Sequence, residues 1–211
     1  MSRLHLFDMD GTLLRGTSAS MLIAERLDLV PQFEELERDL LTGAVDSPGY
    51  ARRAYALWAG LTEEHVAAAF AAAPWLDGIR EVWAEIAARG EYCAVVSLSP
   101  DFFVSRLCAW GAHAARASVF PVPPFPPGAV LDPARILLPA SKVTVADELC
   151  VRYGVSRGDC VAYGDSRSDT ELFAAVPVSV AVNGDAHVSS LATHRYRGGD
   201  LREAYALVAG A

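Results

Sequence analysis

Two carboxylates lie two residues apart near the start of the chain, at Asp8 and Asp10, and Gly11 and Thr12 follow them. An ionised aspartate can act as a nucleophile, and a neighbouring carboxyl group can donate and accept protons. Gly11 lets the backbone turn closely around a bound group. An Asp-x-Asp pair before glycine is also a common turn. The pair therefore indicates catalysis only if other reactive side chains join it.

Further candidates occur much later in the chain. Ser97 follows a short apolar run, Lys142 lies at the start of a helical pattern, and Asp165 and Asp169 fall in the run Gly-Asp-Ser-Arg-Ser-Asp. Each of these features alone is usually a turn, a strand end or a solvated helix residue. Carboxylate oxygens are the ligands that Mg²⁺ prefers. Together with Asp8, the two later aspartates predict a magnesium site.

The apolar pattern predicts the elements that would bring these residues together. Short buried strands are expected at residues 4–7, 92–96, 160–163 and 178–182. Helical patterns alternate with them from residue 77 onward, which predicts a parallel sheet covered on both faces. Ligands of such sheets bind at the carboxyl ends of the strands. Asp8, Ser97 and Asp165 are all expected at such ends.

Two segments interrupt this alternation. Residues 17–73 have a helical pattern with breaks at proline and glycine, and predict a small helical cap inserted after the first strand. The remaining residues, 1–16 and 74–211, form the predicted α/β core. Residues 119–139 are rich in proline and predict an extended loop. A helix is expected from residue 141, with Ser141 as its cap.

Four motifs in this order resemble the haloacid dehalogenase (HAD) superfamily, in the branch similar to phosphoserine phosphatase. They are the run from Asp8 to Thr12, Ser97 after its apolar run, Lys142 opening a helix, and the run from Gly164 to Asp169. The resemblance covers about residues 4–183. It implies a Rossmann-like core, with a parallel sheet flanked by helices, and a small helical cap inserted after the first strand.

The resemblance also implies roles for single residues. Asp8 would be the nucleophile that becomes phosphorylated, and Asp10 the general acid and base. A Mg²⁺ ion would be bound by the carboxylates of Asp8 and Asp165 and by the backbone carbonyl of Asp10, with Asp169 as a supporting residue. The residues expected to bind phosphate are Gly11, Thr12, Ser97, Leu98 and Lys142.

The resemblance becomes weaker at the substrate. Thr17 stands where phosphoserine phosphatases have the glutamate that binds the ammonium group, and no acid stands nearby in the sequence. Arg15, Arg52 and Arg53 are candidate specificity residues. We therefore expect a small phosphorylated metabolite with a neutral or acidic tail, and not free phosphoserine.

Composition limits the partners. The net charge is −8, from 26 acidic and 18 basic residues, which disfavours binding to nucleic acid or an anionic membrane. The sequence shows no signal peptide, and no apolar stretch approaches the ~20 residues of a membrane span. Four cysteines without metal spacing are expected to be buried free thiols, which suits the cytoplasm. The sequence leaves the oligomeric state open.

Three further functions remain open beside a phosphatase of this kind. They are phosphoserine phosphatase proper, a sugar phosphomutase, and a non-catalytic phosphometabolite-binding protein on the same fold. A degenerate binder would be expected to lose Asp8, Asp10 or Asp165, and all three are present. Turnover of phosphoserine would identify the first function, and isomerisation of a sugar phosphate without net phosphate release would identify the second.

Overall fold

Six short strands form one parallel sheet in the computed structural model, which describes residues 2–210. Met1 and Ala211, the outer ends of the predicted core, lie outside the described residues. Along the sheet the strands follow the order β3-β2-β1-β4-β5-β6. The strands are β1 (Leu4–Phe7), β2 (Tyr92–Pro100), β3 (Ala114–Ser118), β4 (Cys160–Gly164), β5 (Val178–Val182) and β6 (His194–Tyr196).

The first strand lies in the middle of the sheet, where all four of its residues are buried. Phe7 is in register with Val95 of β2 on one side and with Tyr163 of β4 on the other. Because all the strands are parallel, the residues that follow these three positions emerge at one edge of the sheet. This register brings together the segments that begin at Asp8, at Val96 and at Gly164.

Helices connect the strands, as the alternating pattern predicted. The α/β architecture, with a parallel sheet flanked by helices, is thereby confirmed. Four helices lie between β1 and β2 before the first helix of the alternating part: α1 (Ala19–Arg26), α2 (Val30–Thr42), α3 (Ser47–Leu57) and α4 (Glu63–Ala72). The others are α5 (Ile79–Ala88), α6 (Asp101–Val104), α7 (Ser141–Tyr153), α8 (Thr170–Ala175), α9 (Ala186–Leu191) and α10 (Leu201–Ala206). None of the helices within residues 2–210 is long and apolar enough to cross a bilayer.

The apolar side chains form two clusters, one on each face of the sheet. The cluster on one face contains the buried stripe of α5 together with buried residues of α1 to α4. Trp58 belongs to it, with its ring stacked on Phe33 at 5.4 Å and lying 5.7 Å from Phe120. The second cluster lies on the other face, between the sheet and helices that include α7 and α8. Helices α1 to α4 therefore share a continuous apolar core with the sheet.

The proline-rich loop is irregular, as predicted, apart from one 3-10 turn at Pro133–Arg135. It packs against α3. The Tyr55 hydroxyl donates a hydrogen bond to the Ala129 carbonyl at 2.9 Å, and the Tyr55 ring lies 4.6 Å from that of Phe125. The loop thus connects the core to the helical segment between β1 and α5.

Several sequence predictions differ from the structure. Strand β2 continues past Val96 to Pro100, with a shift in its register to β3. Strands β3 and β6 and helix α9 were not predicted. Ser141 is the first residue of α7 and does not cap it; its Oγ instead accepts a hydrogen bond from Leu138 N at 3.0 Å. Cys108 is exposed, so the prediction of four buried thiols was wrong for this residue.

Candidate active site

Asp8 lies directly after β1, and its backbone continues the sheet. The Asp8 amide donates to the Tyr163 carbonyl at 2.9 Å, so the residue is fixed beside the end of β4. Its side chain is 6% exposed. Thr12, which is fully buried, donates from Oγ1 to Asp8 Oδ2 at 3.5 Å and to Asp165 Oδ1 at 3.3 Å. Thr12 therefore lies between the two carboxylates that follow the two central strands.

Lys142 joins two of the aspartates. Its ammonium group donates to Asp8 Oδ1 at 2.7 Å and to Asp169 Oδ1 at 2.6 Å, and both Lys142 and Asp169 are fully buried. Helix α7 delivers the lysine from one residue past its start. Burial lowers the pKa of Lys142, but the Asp169 and Asp8 carboxylates together outweigh burial and raise the pKa above its ordinary value. The lysine is therefore charged in the folded protein.

The second oxygen of Asp169 stabilises the turn after β4. Asp169 Oδ2 accepts hydrogen bonds from the backbone amides of Asp165, at 3.1 Å, and Ser166, at 3.3 Å. Gly164 makes this approach possible, because a Cβ on it would lie only 2.3 Å from Asp169 Cγ. Asp169 thus positions the backbone of Asp165 as well as the lysine.

Three carboxylates, those of Asp8, Asp165 and Asp169, have oxygen atoms that all lie within 4.8 Å of one another. Burial raises the pKa of Asp8, against the opposing charge of Lys142, and the surrounding carboxylates raise it further. Burial and the Asp169 charge likewise raise the pKa of Asp165 to about 7. The single ammonium group of Lys142 cannot neutralise these three carboxylates. A cluster of oxygen donors with excess negative charge fits a divalent cation such as Mg²⁺.

Asp10 faces a different set of groups. Its Oδ1 accepts from the Ala19 amide at 2.8 Å, and its Oδ2 accepts a short hydrogen bond from the Ser99 hydroxyl. Burial raises the pKa of Asp10 to about 6, although both hydrogen bonds oppose that shift. A carboxyl group with such a pKa can hold or release a proton near neutral pH.

A cavity of about 430 Å³ opens over these groups. Asp8, Asp10, Gly11 and Asp165 lie at one end. Gly11 has φ of +76°, and a Cβ on it would lie 2.1 Å from Asp165 Oδ2, so only glycine fits here. The other lining residues come from α1, α2 and α3 with their flanking residues, from β2, from the proline-rich loop and from the turn after β4: Gly16, Thr17, Ser18, Ser20, Glu37, Leu40, Leu41, Ser47, Tyr50, Ala51, Trp58, Ser97, Leu98, Ser99, Pro100, Phe120, Ile136, Ser166 and Ser168.

Comparison with known proteins identifies the family. The sequence model of the haloacid dehalogenase-like hydrolases matches residues 5–174. The chain belongs to this family. The match includes β1 with Asp8 and Asp10, and it extends past Asp165 and Asp169 into α8. The family predicted from the four motifs is confirmed. No curated protein sequence matches the chain.

Solved structures of similar fold agree with this assignment. A substrate-bound phosphoserine phosphatase complex has a TM-score of 0.83 at 22% identity, covering 99% of both chains. A phospho-aspartyl intermediate analogue of phosphoserine phosphatase has a TM-score of 0.82 at 22% identity, covering 98% of this chain and 99% of the other. A probable phosphoserine phosphatase from Vibrio cholerae has a TM-score of 0.82 at 20% identity, covering 99% of this chain and 64% of its own. At these identities the similarity shows a shared fold.

Within this HAD fold, the candidate specificity residues are placed unequally. Thr17 lines the cavity, as do Ser97 and Leu98. Arg15, Arg52 and Arg53 are exposed and lie outside the lining. The Arg53 guanidinium instead pairs with Asp39 at 2.6 Å on the surface. Arg15 lies next to Gly199, which is not a lining residue: a Cβ on that glycine would lie 2.7 Å from an Arg15 nitrogen.

Sequence reasoning missed several polar residues of the cavity, among them Ser99, Glu37 and Tyr50. Ser99 lies two residues beyond Ser97 on β2, where alternate residues point to the same side, but the predicted strand ended at residue 96. No acid stands near Thr17 in the sequence, but α2 brings Glu37 into the cavity from 20 residues beyond it. Neither Glu37 nor Tyr50 had a local sequence signal that distinguished it from a surface residue.

Proposed function

We propose that the chain is a magnesium-dependent phosphatase that hydrolyses a small phosphomonoester through an aspartyl-phosphate on Asp8. One observation carries the proposal: the Asp8 carboxylate faces the cavity, with one oxygen held by Lys142 and with Asp10 two residues away. A nucleophile, a cation and an acid–base group are thus close together at the cavity. Membership of a hydrolase family agrees with this chemistry.

In the first step, Asp8 attacks phosphorus. Lys142 holds Oδ1 at 2.7 Å, while the contact of Oδ2 with Thr12 is long, at 3.5 Å, so we assign the attack to Oδ2. A bond from Oδ2 to phosphorus forms and the bond from phosphorus to the leaving oxygen breaks. Asp10, in its protonated form, gives its proton to the leaving oxygen. The products are an alcohol and phosphorylated Asp8.

In the second step, water from solvent attacks phosphorus and gives its proton to Asp10. The bond between Asp8 and phosphorus breaks, which restores the Asp8 carboxylate and releases inorganic phosphate. Asp10 is held in place for both steps by the Ala19 amide and the Ser99 hydroxyl. Its pKa of about 6 suits a group that must act in turn as acid and base.

The remaining site residues bind phosphate or position other groups. Ser97 Oγ accepts from the Ser99 amide at 3.2 Å, which leaves its own hydroxyl proton free to donate to a phosphate oxygen. Leu98 and Gly11 also line the cavity, and the Leu98 amide would donate to a phosphate oxygen. Thr12 faces Asp8 and Asp165 and lies outside the lining, so we assign it a positioning role.

The carboxylates of Asp8 and Asp165 and the backbone carbonyl of Asp10 would bind Mg²⁺, and Asp169 would support them. When bound, the ion offsets the repulsion between the Asp8 carboxylate and a phosphate dianion. We further propose that residues 17–73 form a cap over the cavity, since α1, α2 and α3 supply much of its lining. Buried free thiols such as those of Cys150 and Cys160 favour the reducing cytoplasm as its compartment.

Hydrolysis of para-nitrophenyl phosphate tests the proposal. We expect magnesium-dependent release of phosphate, abolished by chelation, and a fall in kcat on the order of 10⁴-fold or more in Asp8→Asn. Asp147→Asn is the matched control, because that aspartate pairs with Arg157 on the surface. Undiminished activity in Asp8→Asn would refute the mechanism. Phosphate transfer within a sugar phosphate, without net release, would establish a mutase instead.

A further inference from the structure

One face of helix α2 lines the cavity. Glu37, Leu40 and Leu41 line it, and their spacing of three and four residues places them side by side on the helix. Trp58 and Phe120 contribute further apolar surface. A leaving group attached to a phosphate at Asp8 would extend toward these residues.

Glu37 is the charged group of this region, and its carboxylate is incompletely paired. It is half-buried, and Oε1 accepts a hydrogen bond from Ser18 Oγ at 2.6 Å. No lysine, arginine or histidine among residues 2–210 forms an ion pair with it. Ser18 directly precedes Ala19, whose amide donates to Asp10. The Glu37 carboxylate is therefore connected to Asp10 through Ser18 and Ala19.

All the charged residues that line the cavity are acidic. None of the lining residues, all of which fall within residues 2–210, is lysine, arginine or histidine. Lys142 lies behind Asp8 and is committed to two aspartates. Mg²⁺ would offset carboxylates near the phosphate, but Glu37 would still lack a partner. A carboxylate on the leaving group would meet like charge and no cation, whereas an ammonium group would find a partly desolvated anion.

Resting on the proposed function, we propose that Glu37 binds a cationic nitrogen on the leaving group and that the substrates are phosphomonoesters of amino alcohols without a carboxylate. The hydroxyls of Ser18 and Tyr50 lie in the same lining and can accept the remaining ammonium protons. The apolar walls at Leu40 and Trp58 would contact the carbon skeleton. This assignment replaces the neutral or acidic tail expected from sequence, because α2 supplies the anion that the residues after Asp8 lack.

Two measurements test the proposal. The first is calorimetric binding to the inactive Asp8→Asn variant, with Mg²⁺, of ethanolamine phosphate, glycerol 3-phosphate, phosphoserine and 3-phosphoglycerate. We expect ethanolamine phosphate to bind on the order of 10- to 100-fold more tightly than glycerol 3-phosphate, the range for a hydrogen bond to a charged group. The two carboxylate-bearing compounds should bind more weakly than ethanolamine phosphate.

The second measurement is the ratio of kcat/KM for ethanolamine phosphate to that for glycerol 3-phosphate, in the active enzyme and in Glu37→Gln. We expect the ratio to fall by about 10-fold or more, mainly through KM for ethanolamine phosphate. Glu35→Gln is the matched control, because Glu35 is exposed on the same helix. A purely structural role of Glu37 would lower both kcat/KM values together and leave the ratio unchanged.

The outcomes separate this proposal from the proposed function. Equal affinities in the binding series, or a preference for 3-phosphoglycerate, would overturn the assignment of Glu37 even if para-nitrophenyl phosphate is hydrolysed. A preference for phosphoserine would overturn the exclusion of substrates that carry a carboxylate. Selective binding of ethanolamine phosphate without any hydrolysis would support the charge preference and overturn the phosphatase.

Discussion

Lys142 shows at the scale of one residue how the site and the stability of the protein depend on each other. The lysine is fully buried and its ammonium group lies within 2.7 Å of Asp8 and 2.6 Å of Asp169. A buried charge is tolerated only when it is paired. Here the pairing is mutual, because the ammonium group donates a hydrogen bond to each of the two carboxylates. Its removal would leave two carboxylates without their cation.

We therefore expect Lys142→Met to lower the free energy of unfolding by ~3–5 kcal/mol at neutral pH in metal-free buffer, the usual cost of breaking a buried pair. Urea denaturation would measure it. Adding Asp169→Asn to this variant should restore part of the loss, because one unpaired carboxylate is then gone. Arg157→Met breaks an exposed pair with Asp147 and should cost far less, because solvent screens that pair. Equal losses in the two single variants would contradict this account.

The sequence predicted the site residues that directly follow buried strands. It did not predict the site residues whose position depends on the packing of other elements. Asp8 and Asp165 follow predicted strands, and the structure brings their carboxylates together with that of Asp169. Ser99 was missed because β2 runs four residues further than its apolar pattern indicates. Glu37 was missed because its position depends on how α2 packs, and this long-range packing leaves no trace in local spacing.

At the scale of elements, the sequence predicted the central strands of the sheet but not the strands at its two edges. The central strands are apolar throughout, which makes them visible in sequence. Strand β3 consists of three alanines, an arginine and a serine, and β6 has three residues with only Tyr196 buried. Edge strands need less apolar surface because fewer neighbours cover them, so hydrophobic pattern alone does not identify them.

The contact between the proline-rich loop and α3 supports a prediction at this scale. Phe125→Ala removes the aromatic partner of Tyr55, a pair worth about 0.5–1.5 kcal/mol beyond its buried area. We expect amide hydrogen exchange in α3 to accelerate by up to roughly 10-fold, with the central strands unaffected. Tyr153→Ala is the control, since Tyr153 stacks on Tyr92 in a separate cluster. Unchanged exchange in α3 would show that the loop does not hold this helix.

His5 connects stability to pH at the scale of the whole molecule. Its ring is buried in β1, with Nδ1 3.1 Å from the Tyr163 hydroxyl and Nε2 3.0 Å from Glu91. Burial lowers the pKa of His5 below its ordinary 6.5, although Glu91 opposes this shift. Between that lowered pKa and 6.5, the unfolded chain binds a proton that the folded chain does not. The contribution of His5 to stability is therefore present above 6.5 and lost as pH falls below it.

This effect is measurable as a difference between two proteins. The free energy of unfolding of the wild type should fall more between pH 7.5 and 5.5 than that of His5→Gln, which cannot titrate there. The buried carboxylates have raised pKa values, which act in the opposite sense, but they are common to both proteins and cancel in the difference. Identical pH dependence in the two proteins would exclude His5 as the cause.

The hydrogen bond from the Ala19 amide to Asp10 has a consequence for the order of events in a catalytic cycle. Ala19 is the first residue of α1, so the proposed proton donor is oriented by the same helical segment that would cover the substrate. Asp8 is instead fixed by β4 and α7. Displacing the helical segment would leave the nucleophile in place and remove one of the two hydrogen bonds that hold its proton donor. Covering the substrate would then complete the alignment of the proton donor, so an open enzyme would hydrolyse phosphate esters more slowly than a closed one.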